Sequence, residues 1–455
     1  MSRQMQIRDF TSGNITKQLV HFALPLFLSN LLQVVYNMVD MIVVGQVLGD
    51  VGLSAVSLGG DVTNMMTFVA MGYSAAGQVL ISQYIGEKRT DRIGKFVGTM
   101  SMFMLICALV IGSAALIFRR GILGLMNTPP EAFSEALAYS TVCMAGLVFI
   151  YGYNVVSAVL RGMGDAKHPF IFISIAAVMN LTLDVVLVVF LHMGAAGAAL
   201  ATVISQGFSF LCCVVMLVRQ RKAFALDISL REFFSLDREC LRELVSLGTP
   251  MAIRSAAIQF SKLCVHSWIN SYGVAVSAFS GISGKINNIS NLLATTLSTA
   301  GATMVGQNIA AKQFPRVRQV MLRLGAVTLS MATVFTLLML CFPREIYSIF
   351  TSEAEVLAIG MEYIPICIIA FYGAAFRAPM SALTTGSGNH KVYYIETVLD
   401  AYVMRLGLAF LFGLGLDMGY MGFWLGDACA GYTPLLIGTV FYLSGKWKEG
   451  RKKRA

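Results

Sequence analysis

Residues 194–218 read GAAGAALATVISQGFSFLCCVVMLV, a stretch that contains no charged side chain. About 20 consecutive apolar residues are enough for an α-helix to cross the hydrocarbon core of a bilayer. Backbone groups in lipid must bond internally, and segments this long and uniformly apolar do not suit barrel strands. Further stretches that are long and predominantly apolar lie at residues 17–44, 52–81, 94–118, 132–158, 169–191, 243–270, 276–306, 319–342, 354–382, 392–414 and 418–444. The sequence therefore predicts an all-α integral membrane protein with twelve transmembrane helices.

The overall composition excludes an ordinary soluble protein. Of the 455 residues, 56% are hydrophobic and 13% are charged, whereas soluble proteins carry about 25% charged residues. The nine cysteines include no CxxC pair and no Cys/His cluster, so neither a zinc site nor a disulfide framework is indicated. No catalytic constellation is evident in the sequence. We expect no cofactor and no enzyme activity.

The positive charges predict how the chain is oriented in the membrane. With the N-terminus in the cytoplasm, 26 of the 34 Lys and Arg residues fall on the inner side and three on the outer side. This asymmetry is a strong positive-inside signal and predicts that both termini are cytoplasmic, in a prokaryotic inner membrane. The basic tail at residues 446–454 is then an anchor for anionic lipid headgroups. Neither a nucleic-acid partner nor an obligate protein partner is expected.

The chain repeats itself at an offset of 224 residues. Identical pairs in constant register include Gln83 with Gln307, Arg92 with Arg316, Tyr139 with Tyr363, Gly162 with Gly386 and Lys167 with Lys391. Matches at polar and glycine positions indicate a duplication, with six spans in each copy. We predict an N-terminal lobe at residues 1–225, a cytoplasmic loop at 226–242 and a C-terminal lobe at 243–455. Parallel repeats related by an axis along the membrane normal are typical of transporters.

Ionisable residues within the spans point to the functional site, because each costs at least about 2.5–3.5 kcal/mol at mid-bilayer. Away from the span ends, the N-terminal half contains only acids in its spans, namely Asp40, Asp61 and Asp184. The C-terminal half can pair its charges internally, since it contains Arg254, Lys262, Lys285, Arg377, Arg405, Glu396, Asp400 and Asp427. The acids of the N-terminal half must instead be protonated, bind a metal cation or receive a cationic substrate.

Two of these acids lie at a similar depth in the membrane to two uncharged polar residues, Asn180 and Thr202. At 1.5 Å per helical residue, Asp40 lies about 7 Å below the outer end of its span, and Asp184 and Thr202 each about 12 Å below theirs. Asn180 precedes Asp184 by four residues, so both side chains project from one helix face. These oxygens suit Na⁺ or a proton shared by coupled carboxylates. The alternative is that Asn180 and Thr202 only bond helices together. Asp61 is a possible additional polar site.

Several short motifs match the pattern of a known family. They are Pro25, Asp40, the pair Gly45 and Gly49, Ser54–Ser57 (SAVS), Val79–Tyr84 (VLISQY), Arg161–Asp165 (RGMGD) and Asn180–Asp184 (NLTLD). Over nearly its whole length the chain resembles the multidrug and toxic compound extrusion (MATE) transporters, in their prokaryotic DinF-like branch. The resemblance implies an N-lobe cation site at Asp40, Asn180, Asp184 and Thr202. The NorM-type branch also has acidic residues in spans 7 and 10. Here Met251, Arg254 and Arg377 occupy those spans, which argues against a C-lobe cation site.

The function that we predict is export of cationic or amphipathic small molecules, coupled to H⁺ or Na⁺ influx by alternating access. Pro25 cannot donate its helix hydrogen bond, so it is a candidate conformational hinge in span 1. One alternative is a lipid-linked oligosaccharide flippase, whose cavity would need basic residues such as Lys262. A remote alternative is an intramembrane aspartyl protease, since Gly162–Asp165 spells the GxGD motif.

Overall fold

The computed structural model describes residues 8–126, 128–219 and 236–449, and it is helical nearly throughout. The helices are α1 (Ile15–Gly86), α2 (Asp91–Leu125), α3 (Pro130–Ala145), α4 (Leu147–Gly162), α5 (Lys167–Asp184), α6 (Gly194–Arg219), α7 (Arg238–Asn270), α8 (Val274–Ala310), α9 (Phe314–Cys341), α10 (Pro343–Ser348), α11 (Ala354–Gly386), α12 (His390–Val398), α13 (Gly407–Phe410), α14 (Gly419–Ala430) and α15 (Thr433–Leu443). Segments of π-helix follow α5 (Val185–Phe190), α12 (Leu399–Leu406) and α13 (Leu411–Gly415), and a 3₁₀ turn spans Lys446–Glu449. Among these residues no β-strand occurs, as the predicted all-α class requires.

Helix α1 is 72 residues long and covers two of the predicted spans. It is broken at Gly49, whose φ of 62° and ψ of −155° are unfavourable for residues with a Cβ atom. Another predicted span, 132–158, is divided into α3 and α4, which meet at an angle of 48° at Gly146. Within the described ranges, seven helices are long and apolar enough to cross a membrane, and the bent pair α3–α4 would be an eighth.

The chain forms two compact units that differ from the predicted lobes in two short segments. The N-terminal unit comprises Met1–Asp9 and Leu24–Ala252, and the C-terminal unit comprises Phe10–Ala23 and Ile253–Ala455. The leader segment, Phe10–Ala23, thus packs with the C-terminal unit. Helix α7 begins at Arg238, inside the predicted loop 226–242, and its first part packs with the N-terminal unit. Residues 226–235 of that loop and 450–454 of the basic tail lie outside the described residues.

Arg316, together with Gln307 and Asn308, attaches the leader segment to the C-terminal unit by hydrogen bonds. The Arg316 guanidinium donates hydrogen bonds to the backbone carbonyls of Phe10 at 2.7 Å, Ser12 at 2.7 Å and Gly13 at 2.9 Å. It also donates to the side-chain oxygen of Gln18 at 2.9 Å. Charge-assisted bonds are stronger than neutral ones. These hydrogen bonds therefore explain why Phe10–Ala23 packs with the C-terminal unit, although most of α1 belongs to the N-terminal unit.

The equivalent arginine in the first repeat, Arg92, has the same role at the start of α7. Its guanidinium forms an ion pair with Glu239 at 2.8 Å, and the hydroxyl group of Tyr84 donates to Glu243. Asp237 caps the helix, because its carboxylate accepts from the backbone N–H of Cys240 at 2.9 Å. The sequence pairs Arg92 with Arg316 at the repeat offset. The duplication thus extends to the contacts that hold the start of α1 and of α7.

Close helix packing in the C-terminal unit depends on glycine. A Cβ atom added at Gly426 in α14 would lie 2.4 Å from the backbone nitrogen of Ala409 in α13. Small residues allow such close approach in membranes, where association relies on van der Waals contact. Nearby, the Tyr363 and Trp424 rings pack edge to face with centroids 5.1 Å apart. These contacts fix the helices around the buried charges of this unit.

Candidate ion-coupling site

Two carboxyl groups lie side by side within the N-terminal unit. Asp40 projects from α1 with 8% of its surface exposed, and Asp184 is fully buried at the end of α5. Each carboxyl group is within hydrogen-bonding range of the other. Among the residues that the structure describes, neither oxygen of Asp184 has a hydrogen-bond donor. Two ionised carboxylates cannot donate to each other, so this arrangement requires a proton or a cation between them.

Asn180 and Thr202 are adjacent to this pair, as their predicted depth required. The Asn180 amide fits its surroundings when its nitrogen donates to Oδ1 of Asp40 at 2.8 Å and its oxygen accepts from the Thr202 backbone N–H at 3.3 Å. The Thr202 hydroxyl donates to the Ala198 carbonyl at 3.1 Å. Its oxygen therefore keeps lone pairs that can accept a hydrogen bond or bind a cation.

Two further polar residues complete the site, and the sequence analysis missed both. Tyr36 and Gln206 line a small cavity together with Asn180 and Thr202, and the Gln206 amide donates to the Tyr36 hydroxyl at 3.5 Å. The cavity has room for about one water molecule. Tyr36 precedes Asp40 by four residues, so the helical spacing that related Asn180 to Asp184 could also have identified it.

The acids of this site have no basic partner within the ranges that the structure describes. The ion pairs of those ranges include neither Asp40 nor Asp184. The oxygens present can fit either a shared proton or Na⁺. The amide orientation in which the Asn180 nitrogen donates to Asp40 suits a shared proton. The opposite orientation, with the amide oxygen toward the carboxylates, suits Na⁺.

The other residues that the sequence singled out in the N-terminal half lie outside this cluster. They are Asp61, Pro25 and Asp165 of the GxGD motif. Asp61 is exposed, and it has no hydrogen-bond or ion-pair partner among the residues that the structure describes. Pro25 lies inside α1, two residues after the boundary between the two units. Ser29 donates its hydroxyl proton to the Pro25 carbonyl at 2.8 Å. Asp165 of the GxGD motif caps α5, accepting from the backbone N–H of Lys167 at 3.0 Å.

The C-terminal unit pairs three of its acids internally, and two of them, Glu396 and Asp400, are fully buried. The Arg254 guanidinium contacts the carboxylate of Glu396, and it lies 3.5 Å from that of Asp400. Arg405 contacts Asp427 and lies 3.1 Å from Asp400. Two arginines thus form ion pairs with all three acids. These carboxylates already have cationic partners, so they are less able to bind a coupling ion than those of Asp40 and Asp184.

Fold and site together define a polytopic helical membrane protein with a duplicated architecture and a buried acidic pair in one unit. The MatE family model matches the chain twice, at residues 25–186 and 250–411. The chain therefore belongs to the MatE family, as its motifs predicted. The two matches correspond to the two repeats.

Curated relatives and solved structures extend this likeness to nearly the whole chain. The chain is 28% identical over 433 residues to the probable multidrug resistance protein YoeA of Bacillus subtilis, covering 94% of this chain and 93% of the relative. It is 27% identical to YpnP of the same organism, covering 98% of each. A transporter of the MOP superfamily from Pyrococcus furiosus shares the fold with a TM-score of 0.87 at 22% identity, covering 98% of each chain. The Vibrio cholerae MATE transporter VcmN in its bent form gives a TM-score of 0.84 at 20% identity, covering 96% of this chain and 97% of that one.

Proposed function

We propose that this protein is a secondary antiporter that exports cationic or amphipathic small molecules across a prokaryotic inner membrane. The single observation that carries the proposal is the buried pair of Asp40 and Asp184, which has no basic partner among the described residues. Family membership supports the transport class, since relatives such as YoeA are named as probable multidrug resistance proteins. The internal pairing of Arg254 supports this function over the flippase alternative, because that arginine is engaged by Glu396.

The coupling ion and the cargo would compete for the same negative charge. A proton or Na⁺ held by Asp40 and Asp184 neutralises the pair, with Asn180 and Thr202 completing its surroundings. Release of that ion leaves a buried carboxylate that favours a cationic cargo. A ligand shifts a conformational equilibrium only through different affinities for the two states. Alternating access then follows if the ion and the cargo each favour a different state.

Pro25 is proposed as the hinge of this change. It has no backbone N–H, so the helix lacks one hydrogen bond at this position. It lies next to the point in α1 where the chain passes from one compact unit to the other. A Pro25→Ala protein that transports as fast as the wild type would refute this role.

Efflux of a fluorescent cationic dye from drug-sensitive cells tests the proposed function. We expect the wild-type chain to expel the dye, and Asp40→Asn and Asp184→Asn to abolish efflux at equal expression. Asp50→Asn is the matched control, because Asp50 is an exposed carboxylate on the same helix as Asp40. Its efflux should equal that of the wild type.

Separate collapse of the two gradients identifies the ion. A protonophore should stop efflux if the pair carries H⁺, and a sodium ionophore should stop it if the pair carries Na⁺. Undiminished efflux by well-expressed Asp40→Asn and Asp184→Asn proteins would refute the proposed coupling site.

A further inference from the structure

The register between the two repeats changes by one residue along α5 and its counterpart in the second unit. Lys167 pairs with Lys391 at an offset of 224, but five later identities need an offset of 225. These are Leu191 with Leu416, Met193 with Met418, Gly194 with Gly419, Gly197 with Gly422 and Leu200 with Leu425. The backbone agrees, because φ is 50° at His192 and 55° at its counterpart Asp417. The second repeat thus has one extra residue after Lys391.

A π-helical segment accommodates the extra residue. Both units have a π segment shortly before the turn at His192 or Asp417, namely Val185–Phe190 in the first unit and Leu411–Gly415 in the second. Among the described residues, only the second unit has a further π segment ahead of it, at Leu399–Leu406. The hydrogen bonds of a π-helix span one residue more than those of an α-helix, so an insertion fits there. Counted back from the turn, positions therefore correspond at the offset of 225.

This offset pairs the contact between Asn180 and Thr202 with an ion pair of the second unit. Asn180 corresponds to Arg405, and Thr202 corresponds to Asp427. Asn180 contacts Thr202 in either orientation of its amide, at 3.5 Å or 3.3 Å. The Arg405 guanidinium contacts the Asp427 carboxylate. Both contacts join residues that are 22 apart in the chain, so they occupy equivalent places in the two units.

The two coupling acids of the first unit are replaced by apolar residues in the second. Counted from the matching prolines of α1 and α7, Val265 stands at the position of Asp40. Counted back from the turn, Ala409 stands at the position of Asp184. Both replacements are buried, with 2% and 0% of their surface exposed. The second unit therefore lacks the acidic pair and has a cationic side chain, Arg405, in the equivalent place.

We propose that Arg405 is a tethered counterpart of the coupling ion, which permanently fills the equivalent place in the second unit. Its guanidinium lies between two carboxylates, in contact with Asp427 and 3.1 Å from Asp400. The acids of the first unit must take their cation from solution, because they have no basic partner among the described residues. An arginine keeps its proton in proteins, so its charge follows neither pH nor an ion gradient. The gradient then acts on the first unit alone.

A small cation can reach this place once the arginine is removed. The Asp427 side chain is 37% exposed, whereas that of Arg405 is 3% exposed. Without Arg405, Asp400 keeps Arg254 at 3.5 Å, but Asp427 has no other ion-pair partner within the described ranges. A diffusible cation should therefore bind at Asp427. The term coupling ion rests on the proposed function, whereas the equivalence of the two places does not.

Chemical rescue tests this assignment on the purified full-length protein in neutral-lipid nanodiscs. The probes are methylguanidinium and N-methylurea, which has nearly the same shape but no charge. Methylguanidinium should raise the melting temperature of Arg405→Ala in a saturable way, as a ligand of the native state must. N-methylurea should not. The wild type should bind methylguanidinium at least tenfold more weakly than Arg405→Ala, because its own arginine fills the place.

Arg344→Ala is the matched control, because Arg344 is an exposed arginine of the same unit. It should bind methylguanidinium no better than the wild type does. A pair of double variants separates an equivalent place from an ordinary ion pair. Arg405→Asn/Asp427→Thr installs the residues of the first unit in their matching places, and Arg405→Thr/Asp427→Asn has the same composition in the reverse order. The matched variant should unfold at a higher temperature than the reversed one.

The double variants carry the test by themselves if Arg405→Ala does not fold. Absence of saturable methylguanidinium binding to folded Arg405→Ala would overturn the proposal. So would a reversed variant that is as stable as the matched one. None of these measurements involves cargo or a gradient, so a failure of dye efflux would count against the proposed function and not against the equivalence of the two places.

Discussion

Replacing Arg254 by methionine should destabilise the protein strongly. The Arg254 side chain is 11% exposed, and its partner Glu396 is fully buried. The second oxygen of Glu396 has no hydrogen-bond partner within the described ranges of the chain. Asp400 would retain Arg405 at 3.1 Å. The damage should therefore fall mainly on Glu396, which would become a buried carboxylate without a counterion.

The size of this loss follows from the burial. Removal of one partner from a buried ion pair costs about 3–5 kcal/mol, because the other charge is left uncompensated. Arg254→Met should lose about that amount of unfolding free energy. Glu396→Gln alone should lose less, because Arg254 keeps Asp400 at 3.5 Å. The double variant Arg254→Met/Glu396→Gln should recover most of the loss, since no charge remains unpaired at Glu396.

The assay is equilibrium unfolding of purified protein in mixed micelles, combined in a double-mutant cycle. The expected coupling between positions 254 and 396 is a large fraction of the loss in Arg254→Met. If Arg254→Met is within about 1 kcal/mol of the wild type in unfolding free energy, the reasoning is refuted, because the expected loss is several times larger. A double variant that is no more stable than Arg254→Met would refute it as well.

Three other predictions concern the helix ends and the packing. Arg316→Ala should release the leader segment and speed its cleavage by protease, whereas Arg316→Lys should do so less; equal cleavage of wild type and Arg316→Ala would contradict this. Backbone N–H groups at the start of α7 lower the pKa of Asp237. Its stabilisation is therefore complete above the unfolded pKa of about 3.9 and is lost as pH falls through the lower native value. Hydrogen exchange of the first turn of α7 should show this acid sensitivity in wild type and not in Asp237→Ala. Gly426→Ala should cost about 1–3 kcal/mol by overpacking against Ala409, while Gly284→Ala, with open space around it, should be tolerated in the same unfolding assay.

The sequence predicted the helical class and the location of the acidic site because both depend on local properties. Runs of apolar residues identify spans, and the absence of Lys and Arg from the interior of the first six spans isolates Asp40 and Asp184. The spacing of Asn180 and Asp184 placed two site residues on one helix face. Gln206 could not be found in this way, since its contact with Tyr36 depends on how two separate helices pack.

Tertiary contacts explain what the sequence left open. The repeat at offset 224 indicated two lobes, but hydropathy cannot reveal that the leader segment packs with the second unit. The packing of the leader segment depends on tertiary hydrogen bonds, among them those that Arg316 donates. Likewise, the counts of cations and acids in the second half showed that pairing was possible. Only the positions of the helices determine that Arg254 and Arg405 form the ion pairs with Glu396, Asp400 and Asp427.

The most direct test of the ion-coupling site is the release of an ion when cargo binds. A cationic dye would be added to purified protein in lightly buffered solution, while pH and free Na⁺ are recorded. If Asp40 and Asp184 hold the coupling ion, dye binding to the wild type should release a proton or a Na⁺ ion, and Asp184→Asn should release neither. Dye binding without any release, or the same release from Asp184→Asn, would contradict the assignment.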